Sequence, residues 1–182
     1  MASSSRASAH QRGAIIDPET DLAPLDTVAP QPTGWVGLVA FALSLLGVGI
    51  STYMTIAHFT EAAILACSGT GELSCTAVTT SPQSWFFGVP VAVWGLCFFL
   101  VMTILTSPPL WRRSPRLLAL VRTSLVLVGT VFVLWLVAAE VLIIGHICLW
   151  CTGVHVVMVA LLLVFSRATP IQLGLATRTG GA

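Results

Sequence analysis

The chain has 182 residues, of which 56% are hydrophobic and 8% charged, and its net charge is +1. A soluble domain carries roughly a quarter charged residues, so this chain cannot cover a water-facing surface, and its near-zero charge argues against a nucleic-acid or polybasic lipid-surface role. A membrane crossing takes ~20 apolar residues, and the apolar segments suffice for about four, which predicts an all-α integral membrane protein built as a four-transmembrane-helix bundle packed in lipid.

In chain order, residues 1–34 hold Ser, Ala, Pro and Asp without apolar periodicity and read as a disordered tail. The first apolar run, Trp35 to about His58, is too long for a signal-peptide core and is expected to stay as the first membrane helix. A polar loop from about Phe59 to Ser84 contains Cys67 and Cys75. Ser81-Pro82 fits a helix cap followed by Pro at the first helical position, and Trp85-Phe86-Phe87 fits a short half-helix lying at the membrane interface.

Val89 to Thr106 is expected as the second span, with Pro90 tolerated in its first turn. Pro108-Pro109 ends it, and a short link carrying Arg112, Arg113 and Arg116 leads into a third apolar run reaching about Ile144. After the turn at Gly145-His146, the fourth span is expected from about Ile147 to Phe165, stopping at Arg167. The membrane domain is thus 35–166, and residues 167–182 form a second polar tail.

All eight basic residues are Arg, and seven of them fall on one side of a four-span arrangement, with Arg122 just inside the third helix. Basic flanks are retained in the cytoplasm. Both termini are therefore expected inside the cell membrane, with the Cys67 loop and the Gly145-His146 turn, which carry no Arg, at the outer face.

Five cysteines are too few for a disulfide-dense framework, so their spacing carries the information. Cys148-Leu-Trp-Cys151 is a C-x-x-C at the start of a membrane helix, where unsatisfied N–H groups and the helix dipole favour thiolate. Cys148, Cys151 and His155 stand at i, i+3 and i+7 and are expected on one helix face. Thr152 excludes a c-type haem motif. A zinc site from Cys148, Cys151, His146 and His155 stays open, as does a non-catalytic four-span scaffold.

Cys67 and Cys75 bracket a Gly-containing loop on the oxidising side, where a disulfide can be structural or take part in thiol-disulfide relay with the second pair. The DsbB type of quinone oxidase has the opposite order of pairs, with its C-x-x-C in the first outer loop. Cys97 reads as a packing residue of the second span. Glu140 and His146, near the outer end of the third helix, either reach the interface or deliver protons.

Taken together these features resemble the vitamin K epoxide reductase family in its bacterial form without a fused thioredoxin-like domain. The resemblance rests on Cys67-x7-Cys75, on Ser74-Cys75-Thr-Ala-Val78-Thr-Thr-Ser81, on Phe87-Gly88 and on Cys148-x-x-Cys151. It implies four helices around a quinone of the menaquinone or ubiquinone type, capped from outside by the loop. It also implies roles: Cys67 exchanges with a separate DsbA-like thioredoxin-fold partner, Cys75 hands electrons to Cys148, and Cys151 reduces the quinone.

The family's ring-oxygen ligands fall here on Ser84 and His155, with Ser81 and Phe87 of the quoted motifs in the same pocket. Relatives with Asn and Tyr at those places differ from this pocket, which argues for plain quinone reduction over epoxide reduction.

Overall fold

The computed structural model describes residues 34–60, 74–112 and 115–175. The expected N-terminal tail, the Cys67 end of the polar loop and the residues after 175 lie outside them. The helices are α1 (Gly34–Phe59), α2 (Cys75–Thr79), α3 (Val91–Thr106), α4 (Pro108–Arg112), α5 (Arg116–Ala138) and α6 (Leu149–Gln172). Three stretches, Gly34–Phe59, Arg116–Ile144 and Leu149–Gln172, are long and apolar enough to cross a membrane, and α3 is a shorter apolar helix. Large apolar side chains cover the outside, Leu142 being 80% exposed; that surface suits hydrocarbon and not water.

In lipid the helices gain little by hiding apolar surface from one another, so close packing must hold them. α1 buries a stripe of mostly small residues, Gly37, Ala40, Ser44, Gly47, Ser51 and Met54, recurring at helical spacing. At its centre Gly47 leaves room for the buried Phe99 ring of α3. At one end of the bundle Trp111 of α4 rests on Gly37. There the fully buried Arg122 donates from Nε to the Leu105 carbonyl at 2.8 Å and from a guanidinium nitrogen to the Leu110 carbonyl at 3.3 Å. It also lies 4.9 Å from the Trp111 ring centroid. A cation among helix-terminal carbonyls meets their negative partial charge, so α5 itself caps α3. A 2.6 Å bond between the Thr123 and Thr169 hydroxyls ties α5 to α6 at the same end.

Four local expectations are corrected. Trp85-Phe86-Phe87 is not helical: Trp85–Phe86 pairs with Val89–Pro90 as a tight antiparallel hairpin, whose turn residues Phe87 and Gly88 have φ of 52° and 74°. Positive φ at both central positions is what a type I′ turn requires, and a short 3₁₀ turn, Pro82–Ser84, precedes it. Pro90 therefore caps α3 instead of lying inside it.

Pro108-Pro109 ends α3 but starts α4, since Pro is well suited to a first helical turn. α6 runs past Arg167 to Gln172 despite Pro170, because Ala168, Thr169 and Gln172 are buried against the bundle. α5 continues into a π-helical turn, Ala139–Ile144, closed by Gly145 at φ 69°, and this turn was not legible in the apolar run.

Candidate active site

The site is assembled where α2 folds down onto the start of α6. The Ser74 N–H donates to the Ile147 carbonyl at 3.2 Å, and the Ser74 hydroxyl accepts from the Ala77 N–H at 3.3 Å, capping α2. Cys75 is thereby held as the first residue of α2, buried among Met54, Ala57 and Val78. Cys148 stands at the N-cap of α6, where its Sγ accepts from the Cys151 N–H at 3.4 Å. The two sulfurs meet: Cys148 Sγ lies 3.2 Å from Cys75 Sγ, and both residues are essentially inaccessible to solvent.

Cys75 is disulfide-bonded, whereas Cys148 and Cys151 are free thiols; Cys67 lies outside the described residues. The Cys151 N–H aimed at Cys148 Sγ and the N-terminus of α6, which Cys148 caps, both favour thiolate at Cys148. A thiolate-prone sulfur in van der Waals contact with a disulfide sulfur is the arrangement that exchange needs. Trp150, between the two cysteines, packs its ring 4.6 Å from that of Tyr53 and so fixes the C-x-x-C against α1.

The expected common face of Cys148, Cys151 and His155 is divided. Cys148, as a cap, turns toward Cys75. Cys151 and His155 line a cavity of about 440 Å³ enclosed by α1, α3, α5 and α6, whose walls are mainly apolar and aromatic. That size and lining suit a flat ring with a hydrocarbon tail. Ser81 and Ser84 also line it, but their hydroxyls donate to the Val78 and Ser81 carbonyls, each at 2.7 Å. A ring oxygen would have to compete for those protons. Phe87, 86% exposed at the tip of the hairpin, is not part of the wall; Phe86 is.

Glu140 is turned into the protein and away from its outer surface. It is 6% exposed and faces the cavity, with the Cys151 thiol and the Cys148 backbone N–H as polar neighbours. His146 does not line the cavity, and its Nδ1 is buried without a hydrogen bond. Cys97 is on the exposed side of α3 and packs nothing inside the bundle. Among the described residues no three His, Cys, Asp or Glu side chains gather as a metal site needs.

The sequence model of the vitamin K epoxide reductase family matches residues 38–166, from α1 into α6. The chain belongs to the vitamin K epoxide reductase family. It is therefore an oxidoreductase of the thiol type in a multi-pass membrane fold, and the cavity beside Cys151 is that of a quinone-linked family. No curated protein matches it significantly.

Two wall residues of this family member escaped sequence reasoning. His58 lines the cavity near the cysteine end, its ring 5.1 Å from that of Trp85; its place in the last turn of α1 was visible, but nothing in the pattern turned it inward. Phe86 exchanged places with Phe87 because the turn type sets which of two adjacent aromatics faces in.

Proposed function

We propose that this enzyme takes electrons from a DsbA-like thioredoxin-fold dithiol outside the cytoplasm and passes them to a membrane quinone, supporting disulfide formation in secreted proteins. One observation carries the reading: the Cys75 and Cys148 sulfurs are 3.2 Å apart, with Cys151, three residues on, in the wall of an apolar cavity.

In this reading the partner's dithiol reduces a Cys67–Cys75 disulfide. Cys75 thiolate then attacks Cys148 of an oxidised inner pair, forming a Cys75–Cys148 bond and releasing Cys151. Cys67 next attacks Cys75, which restores the outer disulfide and leaves two inner thiols. That end state corresponds to the cysteines as they stand, with Cys75 bonded and Cys148 and Cys151 free. The inner pair finally gives two electrons to the quinone of menaquinone or ubiquinone type, which takes up two protons. The chain supplies a mainly apolar cavity with a few polar groups at its wall.

Four crossings and a cytoplasmic location of both termini belong to the same proposal. α3 is about 24 Å long at ~1.5 Å per residue, under the ~30 Å of a bilayer core. Its two ends nevertheless lie at opposite ends of the bundle: Leu105 meets Arg122, while Trp94 donates to the Phe86 carbonyl in the hairpin at 3.2 Å. Arg112, Arg116, Arg122 and Arg167 all belong to the end away from Cys148, which supports the orientation. The domain limits of 35–166, with tails of 1–34 and 167–182, go with it. A reporter fused after Arg178 is expected to be active only in the cytoplasm; activity only outside would overturn the assignment.

His155 is proposed to hydrogen-bond the quinone and to help protonate it. Anaerobic mixing of the purified protein with a reduced thioredoxin-fold partner and short-chain ubiquinone or menaquinone analogues tests the whole reading through quinone absorbance. No reduction of either would sink it. His155→Phe should keep exchange between the pairs and slow quinone reduction by about 10²-fold, since a preorganised hydrogen bond in a low-dielectric site is lost. Unchanged reduction with a lowered melting temperature would make the residue structural.

A further inference from the structure

Among the described residues Glu140 is the one acidic side chain that lines the cavity, and it is placed there by an irregularity of the backbone. It lies in the π-helical turn that ends α5, where the Gly145 N–H reaches back five residues to the Glu140 carbonyl at 2.9 Å. Single π turns in otherwise α-helical segments recur at functional sites, because the extra residue re-aims the side chains around it. Here Ala139 and Glu140 turn inward while Val141, Leu142 and Ile143 face out.

A carboxylate in such surroundings is costly unless it is satisfied. The Cys151 thiol and the Cys148 backbone N–H stand beside it, and among the described residues no Arg lines the cavity. The other titratable groups facing this space are His58 from α1 with Cys151 and His155 from α6. The contact with a thiol that must lose its proton is therefore the distinctive one.

We infer that Glu140 is a catalytic base: its carboxylate takes the Cys151 thiol proton and passes it to a ring oxygen of the quinone. The inference rests on the quinone-reducing reading and adds to it the route of one proton. Charge decides in its favour. A thiolate formed beside an ionised carboxylate would put two negative charges in a low-dielectric cavity, whereas transfer between them keeps the total at one.

The balance is closed. Cys148 and Cys151 together lose two protons and two electrons as the bond between their sulfurs forms. The quinone gains both electrons and both protons and becomes a quinol. Glu140 carries the proton from Cys151 and ends, as it began, a carboxylate; the other proton reaches the second ring oxygen by way of His155.

Full-length protein with Glu140→Gln, and with Glu140→Asp for comparison, tests this with short-chain ubiquinone and menaquinone analogues in anaerobic single turnovers. Gln keeps the shape but cannot accept the proton, so quinone reduction should fall about a hundredfold while Asp retains most of the rate. Alkylation of Cys151 by iodoacetamide should move the other way. Removing the neighbouring negative charge eases thiolate formation, so the Gln variant should react at least as fast as the parent.

Slower reduction with undiminished alkylation and an unchanged melting temperature supports the base. Reduction by the Gln variant within about threefold of the parent, well short of a general-base effect, overturns it, as does a parallel loss of reduction, alkylation and stability in both variants. A parent that reduces neither analogue removes the quinone reading and this inference together; a parent that reduces them and a Gln variant that matches it removes this inference alone.

Discussion

Cys151→Ser should stop turnover and leave Cys75 covalently joined to Cys148. The two sulfurs already lie 3.2 Å apart in a pocket closed to solvent, so the Cys148 thiolate is placed to attack Cys75 of a Cys67–Cys75 disulfide, forming the Cys75–Cys148 bond and releasing the Cys67 thiol. In the parent, Cys151 is the thiol that competes with Cys75 for Cys148, and its removal leaves the mixed disulfide without an internal resolving group on that side. Loss of a reacting group that acts as part of a unit costs at least about 10³-fold in rate. Mass mapping of non-reduced peptides checks the product, and a Cys67–Cys148 link in place of Cys75–Cys148 would reverse the roles of the outer pair. Cys97→Ala, on the exposed side of α3, serves as the control whose turnover stays close to the parent's.

Gly47→Ala should destabilise the bundle far more than one methyl group ordinarily does. A Cβ at Gly47 would overlap the Phe99 ring, which is itself buried and cannot swing aside. α1 and α3 would have to separate along the line where they pack most closely, and overpacking of this kind costs about 1–3 kcal/mol. Gly49→Ala, two residues on, meets nothing within 4 Å, and should be neutral or mildly stabilising because Ala is the better helix former. Thermal unfolding in detergent distinguishes the two. Phe99→Leu should partly rescue Gly47→Ala, since the pair shares one volume; equal melting temperatures for the two alanine variants would refute the packing argument.

Much of this architecture was legible because lipid simplifies the code. Uninterrupted apolar runs marked the helices, so Trp35 to His58 and the run ending at Ile144 agree closely with the observed elements. The C-x-x-C stood beside Gly145-His146, which located the mouth of α6. Less was legible where the backbone chooses between alternatives of similar hydropathy. Trp85-Phe86-Phe87 is equally aromatic as a half-helix or a hairpin, and the positive φ of Phe87 follows from the tight pairing of Trp85 with Pro90.

The π turn at Glu140 and the inward aim of His58 are likewise tertiary outcomes, set by what α5 and α1 pack against. Periodicity could place Cys148 and Cys151 near one another. It could not say that capping would divert Cys148 to Cys75 and leave only Cys151 at the cavity.

The sealed meeting of Cys75 and Cys148 acts as an insulated junction. Electron exchange by thiols is a matter of contact between sulfurs, and neither of these sulfurs is open to the surrounding medium. Small reductants and thiol-blocking reagents in the water outside therefore have no direct access to Cys148, and the apolar cavity beside Cys151 admits lipid-soluble molecules in preference to ions. In the proposed relay, electrons enter through the outer pair. Within that relay this burial would shield the quinone from free thiols in the medium and leave the choice of electron donor to the outer pair.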